Sequence, residues 1–184
     1  MIIKYEYKSN KKTHVNLTNH SYWNLEKIKK NMIYNHELKL NSNKYLQINK
    51  DLIPTGKTKS IKNSIYDFLK FQNLGKKLNF FKNKKIDLKH KGFDTTYIVK
   101  KNSRNFVGSL KNNNSNVQVD FFSNLPGVQL YSAQNLNYKK KLFPYQGICL
   151  ETQYFPDTPN KKNFPSTLIK ANKRYTCFTK IKIY

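Results

Sequence analysis

Apolar and polar residues alternate in short runs along the chain, from Ile3-Lys4-Tyr5-Glu6-Tyr7 near the start to Thr179-Lys180-Ile181-Lys182-Ile183 at the end. A period of two puts successive side chains on opposite faces of an extended backbone, so each run predicts a strand with one packed and one wet face. Runs of similar character predict further strands over Tyr45–Ile48, Thr95–Val99, Phe106–Leu110, Val117–Phe122, Val128–Ser132 and Ile148–Gln153. Apolar residues at the i, i+3, i+4, i+7 spacing of a helix are scarce, and only Ser64 to Phe81 leaves room for a helical turn.

The polar string Lys111-Asn112-Asn113-Asn114-Ser115-Asn116 predicts a hairpin loop between two of these strands. Pro54-Thr55-Gly56 and Pro126-Gly127 predict tight turns. Phe155-Pro156-Asp157-Thr158-Pro159-Asn160 predicts an irregular loop, because its prolines have no N–H to give to a ladder. So many short strands, with no internal repeat and no linker, predict an all-β sandwich or barrel forming a single domain over residues 1–184.

With 184 residues the chain is long enough to bury a sizeable core. Hydrophobic residues make up 38% and aromatics 14%, spread along the whole length, which predicts a folded chain despite a net charge of +25. That charge also invites a nucleic-acid-binding reading, since clustered cations neutralise phosphates. The excess is scattered Lys, interleaved with Asn, Ile, Tyr and Phe in stretches such as Lys57 to Lys62 and Lys82 to Lys91. Drift towards A/T-rich codons produces such a mixture unaided. Arg, the side chain suited to bidentate recognition, occurs only at Arg104 and Arg174, so a nucleic-acid partner is not expected.

Met1 to Tyr7 lacks the apolar run of a signal peptide, and no stretch of about eighteen apolar residues occurs, so a cytoplasmic protein without a membrane partner is expected. Cys149 and Cys177 are the only cysteines and fit no CxxC spacing, so the expectation is two buried or half-buried thiols in a reducing compartment and no metal site.

Three places carry candidate chemistry. Asn16-Leu17-Thr18-Asn19-His20-Ser21-Tyr22-Trp23-Asn24-Leu25 demands many hydrogen-bond partners where Tyr22, Trp23 and Leu25 favour burial. Gly92-Phe93-Asp94-Thr95-Thr96 sets an acid between a glycine turn and a strand start, where Asp is usually a turn or cap residue. Ile148-Cys149-Leu150-Glu151-Thr152-Gln153 puts a carboxylate in an otherwise apolar strand, where it must be paired or have its pKa raised. Glu151 is thus the least comfortable residue in the chain, which is a signal of a functional site. Taken alone, His20 reads more readily as a structural histidine than as a catalyst, and His14, His36 and His90 carry the same reading without a special setting.

The string from Asn16 to Leu25 resembles the histidine motif of the aldose 1-epimerases, with Trp23 where Phe is usual. Leu52-Ile53-Pro54-Thr55-Gly56, Tyr66-Asp67-Phe68, Gly92-Phe93-Asp94, Leu125-Pro126-Gly127-Val128-Gln129-Leu130-Tyr131, Leu150-Glu151-Thr152-Gln153 with Phe155-Pro156-Asp157, and Asn163-Phe164-Pro165-Ser166-Thr167-Leu168 are similar to further blocks of that family, in the family order. The resemblance implies a large twisted antiparallel β-sandwich, of the galactose mutarotase kind, of which this chain is the carboxy-terminal part. It also implies interconversion of the α and β anomers of aldohexoses, with no cofactor or metal. Glu151 would take the proton of the anomeric hydroxyl and His20 would protonate the ring oxygen. Asp94 would hold a sugar hydroxyl, with Gln129, Tyr131 and Asn19 about the substrate.

Elementary chemistry agrees with this division of roles. Ring opening needs one group to accept a proton and another to give one, and imidazole titrates close enough to neutrality for the second task. Thr95 stands where the family often has His. The upstream segment that supplies a second histidine and an arginine has no counterpart, which implies an amino-terminal companion polypeptide or a decaying remnant. The alternatives are a non-catalytic carbohydrate-binding remnant, a hexose-phosphate epimerase and, behind both, a basic nucleic-acid-binding module.

Overall fold

The chain is described here by a computed structural model, over residues 1–28, 31–82, 90–137, 139 and 141–184. The first and last alternating runs pair: β1 (Ile2–Tyr7) lies antiparallel to β13 (Tyr175–Ile183), with Ile3 opposite Thr179. Beyond β13 the sheet continues through β9 (Val117–Ser123), β8 (Phe106–Asn112) and β3 (His36–Leu40) to the short β6 (Gln72–Asn73). A second sheet runs β11 (Cys149–Gln153), β10 (Gly127–Tyr131), β7 (Asp94–Val99), β4 (Ser42–Ile48), β5 (Pro54–Ser60). A third, of two strands, pairs β2 (Thr13–His14) with β12 (Leu168–Ile169).

One apolar cluster draws on both large sheets, as the period-two pattern requires. Leu38, Leu110, Val119, Phe121 and Ile181 come from the first, and Tyr97, Val128, Leu130 and Leu150 from the second. The helix α1 (Leu74–Lys82) adds Leu74, Leu78 and Phe81 to it. Asn73 caps α1 by accepting the Lys76 N–H at 2.9 Å, so the helical turn expected between Ser64 and Phe81 occupies only the end of that stretch.

The all-β sandwich and the predicted strands are present, with three corrections. Pro54-Thr55-Gly56 is not a turn: it opens β5, an edge strand where Pro54 needs no ladder N–H, and Gly56 takes a φ of +89°. β3 is a strand that the sequence pattern does not announce, because His36 at an inward position disguises the alternation of His36, Leu38 and Leu40 towards the core. Ser132 lies just past β10, and Ile148 forms a lone bridge to Trp23 rather than joining β11. The loop between β8 and β9 falls where the asparagine run predicts it, with the Asn112 side chain accepting the Asn114 N–H at 2.8 Å. Most of the lysine-rich stretch from Lys82 to Lys91 lies outside the described residues.

Candidate active site

The site is built by strand register. Gln129 on β10 stands opposite Thr96 on one side and Glu151 on the other, and Tyr131 stands opposite Asp94 and Cys149. Alternation therefore puts Asp94, Thr96, Gln129, Tyr131, Cys149, Glu151 and Gln153 on one face of the sheet, while Tyr97, Val128, Leu130 and Leu150 enter the core. Glu151 is thus flanked by apolar residues along the chain without facing their side of the sheet.

His20 comes from the segment between β2 and β3, which runs beside β11 and supplies the partners that an edge strand lacks. Asn16 accepts the Tyr154 N–H at 2.9 Å and donates to the Tyr154 carbonyl at 3.1 Å. Thr18 donates to the Thr152 carbonyl at 3.0 Å, and Trp23 and Ile148 exchange two backbone bonds of 2.8 and 3.0 Å. The Trp23 ring then meets Phe121 edge-on at 5.5 Å. The Leu25 N–H ends the segment on the buried Nε2 of His36, at 2.7 Å. These bonds account for a string so rich in Asn and Thr: its polar groups dress β11 while Trp23 anchors it, Tyr22 staying exposed, and His20 is held over the sheet between them.

The imidazole Nε2 lies 3.3 Å from Glu151 Oε1, and Nδ1 lies 3.5 Å from the Cys149 sulfur. Glu151 is 6% exposed, whereas about half of the His20 side chain faces solvent. The two flank a hollow of about 460 Å³, within the range of small-molecule sites, whose walls include Tyr22, Tyr131, Asp94 and Gln129. A larger cleft, of about 700 Å³ between Arg104, Asp120 and Lys182, brings together no such acid and base. Gln129 donates to Asp94 Oδ1 at 2.6 Å and accepts from the Thr96 hydroxyl, which fixes its amide against one oxygen of Asp94.

Burial raises the Glu151 carboxyl above its ordinary range; the nearby His20 opposes this and the Asp94 charge adds to it. Burial also raises Asp94, against the Gln129 hydrogen bond and His20. The Tyr22 hydroxyl is pushed up to about 12, by burial first and then by its acidic neighbours, so Tyr22 stays neutral and serves as a wall.

Of the residues singled out in the sequence, His20, Glu151, Asp94, Gln129 and Tyr131 meet at this hollow. Asn19 does not line it: its Oδ1 accepts the Ser21 N–H at 3.3 Å. Tyr22, Asn135, Gln153 and Pro156 line it without having been singled out. Gln153 shares the parity of Glu151, a legible signal, whereas Asn135 and Pro156 arrive on loops with no periodic mark. His14 bonds Thr167 at 2.8 Å, His36 holds Leu25, and His90 borders a neighbouring cleft that shares Asp94. Cys149 and Cys177 are free and buried. Donor atoms of His20, Cys149 and Glu151 all lie within 4.8 Å of one another, a cluster that the spacing of the cysteines could not announce.

A sequence model of the aldose 1-epimerase family matches residues 1–182. The galactose mutarotase of Bos taurus is 32% identical over 183 residues, covering 95% of this chain and 51% of its own length. That of Homo sapiens is 31% identical over 182 residues, covering 95% and 51%. An aldose 1-epimerase of Haemophilus influenzae is 29% identical over 188 residues, covering 98% and 54%. A GalM/aldose epimerase homologue from C. elegans shares the fold, with a TM-score of 0.86 at 20% identity over all of this chain and 55% of the other. A galactose 1-epimerase from Lactobacillus acidophilus does so with a TM-score of 0.80 at 21% identity, over all of this chain and 52% of the other. The chain spans about half the length of the curated relatives it matches. Among the described residues, no helix is long and apolar enough to cross a membrane.

Proposed function

Since the chain belongs to the aldose 1-epimerase family, we propose that it interconverts the α and β anomers of aldohexoses such as glucose and galactose by acid/base ring opening. Glu151 accepts the proton of the anomeric hydroxyl while His20 gives one to the ring oxygen, and the C1 to ring-oxygen bond breaks to leave the open aldehyde. After rotation about the C1 to C2 bond the protons return by the same two groups, and the ring closes on the other face. The observation that carries this reading is the 3.3 Å separation of His20 Nε2 and Glu151 Oε1 beside one hollow. Both reacting oxygens of the sugar are bonded to the same carbon, so an acid and a base serving them must stand side by side. A carboxyl raised by burial is a stronger base near neutrality, and positioned groups of this kind each contribute roughly a hundred to ten thousand fold.

Asp94, held by Gln129 through Oδ1, takes a sugar hydroxyl on its other oxygen, and Tyr131 and Tyr22 offer ring faces; Asn19 falls outside this reading. Among the described lining residues two are acids and none is Lys or Arg, which favours an uncharged aldose over a hexose phosphate and does not suit nucleic acid. An amino-terminal half, on the same chain or on a companion polypeptide, that closes the exposed side of His20 belongs to the same reading, supported by the half-length match. So does a cytoplasmic location, supported by two free buried thiols.

Polarimetry of freshly dissolved α-glucose and α-galactose tests the reading, with and without the upstream polypeptide. Acceleration of the approach to equilibrium is expected. A chain that shifts sugar resonances in NMR titrations without accelerating it is a carbohydrate-binding remnant, and one that does neither lacks the proposed activity.

A further inference from the structure

The donor set beside the hollow has a chemistry that ring opening does not use. We propose that His20, Cys149 and Glu151 form a site for a soft divalent cation, with Zn²⁺ as the probe, and that its occupancy excludes the sugar. The binding rests on geometry alone, and the exclusion rests on the acid/base reading given above.

A tetrahedral ion about 2.3 Å from sulfur and about 2.0 Å from an imidazole nitrogen holds the two donors about 3.5 Å apart. Cys149 Sγ and His20 Nδ1 already stand 3.5 Å apart. The Glu151 carboxylate lies within 4.8 Å of both partners, close enough for a small rotation to bring one oxygen onto the ion. Thiolate, imidazole and carboxylate together suit zinc, while hard ions such as Mg²⁺ favour oxygen ligands throughout. Two of the donors are fixed by the strand that carries them, since Cys149 and Glu151 are successive same-face residues of β11. The third hangs over them on a half-exposed ring, so the ion enters from the hollow and keeps an outer position for water.

On binding, the Cys149 S–H gives its proton to solvent and a metal–sulfur bond forms; nothing is oxidised or reduced. The ion takes a lone pair of His20 and an oxygen of Glu151, the two groups that a sugar would need. Zinc and aldose therefore compete.

The test is zinc binding to the wild-type chain, followed by competition with a chromogenic chelator, and Co²⁺ spectra of the same samples. The expected result is one saturable site per chain, a near-ultraviolet thiolate-to-cobalt band, and no displacement by Mg²⁺. Cys149→Ala and Cys149→Ser should each weaken binding at least tenfold and remove the band, while Cys177→Ala should change neither. Circular dichroism of each variant establishes that the fold is kept, and the Ser variant retains a polar side chain should Ala disturb packing. Unchanged affinity in Cys149→Ser and His20→Asn, or a cobalt spectrum without the thiolate band, would overturn the site. Zinc bound through Cys149 in a chain that never accelerates mutarotation leaves the site standing and removes the catalytic reading. Mutarotation that proceeds undiminished with zinc bound removes the claim of exclusion.

Discussion

Acidification should destabilise this fold through His36, a residue that does not line the hollow beside His20 and Glu151. His36 opens β3 with its ring fully buried, and its Nε2 accepts the Leu25 N–H at 2.7 Å. A nitrogen that accepts cannot carry a proton, so protonation would bury a charge and cost this bond. Burial accordingly pushes the imidazole down from 6.5 to about 4, against a smaller pull upward from Glu26. The sign follows: between those values the unfolded chain binds a proton that the folded chain refuses, so stability is intact above about pH 6.5 and drains away as the pH falls to about 4. At about 1.4 kcal/mol per pKa unit, the whole loss is roughly 3 kcal/mol. Urea unfolding across this range should be compared between wild type and His36→Gln, whose side-chain oxygen can still accept from Leu25 but does not titrate. Glu151 and Asp94, raised by burial, titrate with the opposite sign, but they do so in both proteins. The stability of wild type relative to the variant should fall by roughly 3 kcal/mol on going from about pH 7.5 to about pH 4. Parallel curves would refute the assignment of His36 as a buried neutral acceptor.

As the proposed base, Glu151 works only when ionised, so the proposed mutarotation should decline on acidification with a midpoint above the ordinary carboxylate value of 4.5, because burial raises it. A pH profile of the polarimetric rate checks this, and a midpoint at or below the ordinary value contradicts it. In Gly92→Ala the new methyl would lie 2.3 Å from the Ser132 hydroxyl oxygen and 2.7 Å from Gln134 Oε1. That hydroxyl accepts the Phe93 N–H at 2.8 Å beside Asp94, so thermal unfolding should show a loss of about 1–3 kcal/mol together with weaker sugar binding.

Much of the fold is legible in the sequence because a half-buried strand writes its period of two into the residues. Ile3 to Tyr7 and Val117 to Phe122 show it plainly. Where the pattern misleads, a local cause is visible. His36 hides the inward face of β3, and Pro54 and Gly56 imitate a turn where an edge strand tolerates both. The site is less legible, because it is made by register across distant strands. Nothing local to Asp94, Gln129 or Glu151 says that the three stand in neighbouring positions across β7, β10 and β11. The discomfort of Glu151 was visible, though its apolar neighbours turn out to line the opposite face of the sheet. His20 depends on a polar segment whose partners lie more than a hundred residues away, as the bond from Thr18 to Thr152 shows.

In the proposed reaction one imidazole and one carboxylate, side by side, open a sugar ring. Polarimetric rates for Glu151→Gln and His20→Asn, measured where sugar binding to each variant has been verified by NMR, address it most directly. Each variant should lose roughly a hundred to ten thousand fold of the catalysed rate while still binding aldose. Two variants that bind sugar and turn it over as fast as wild type would contradict it.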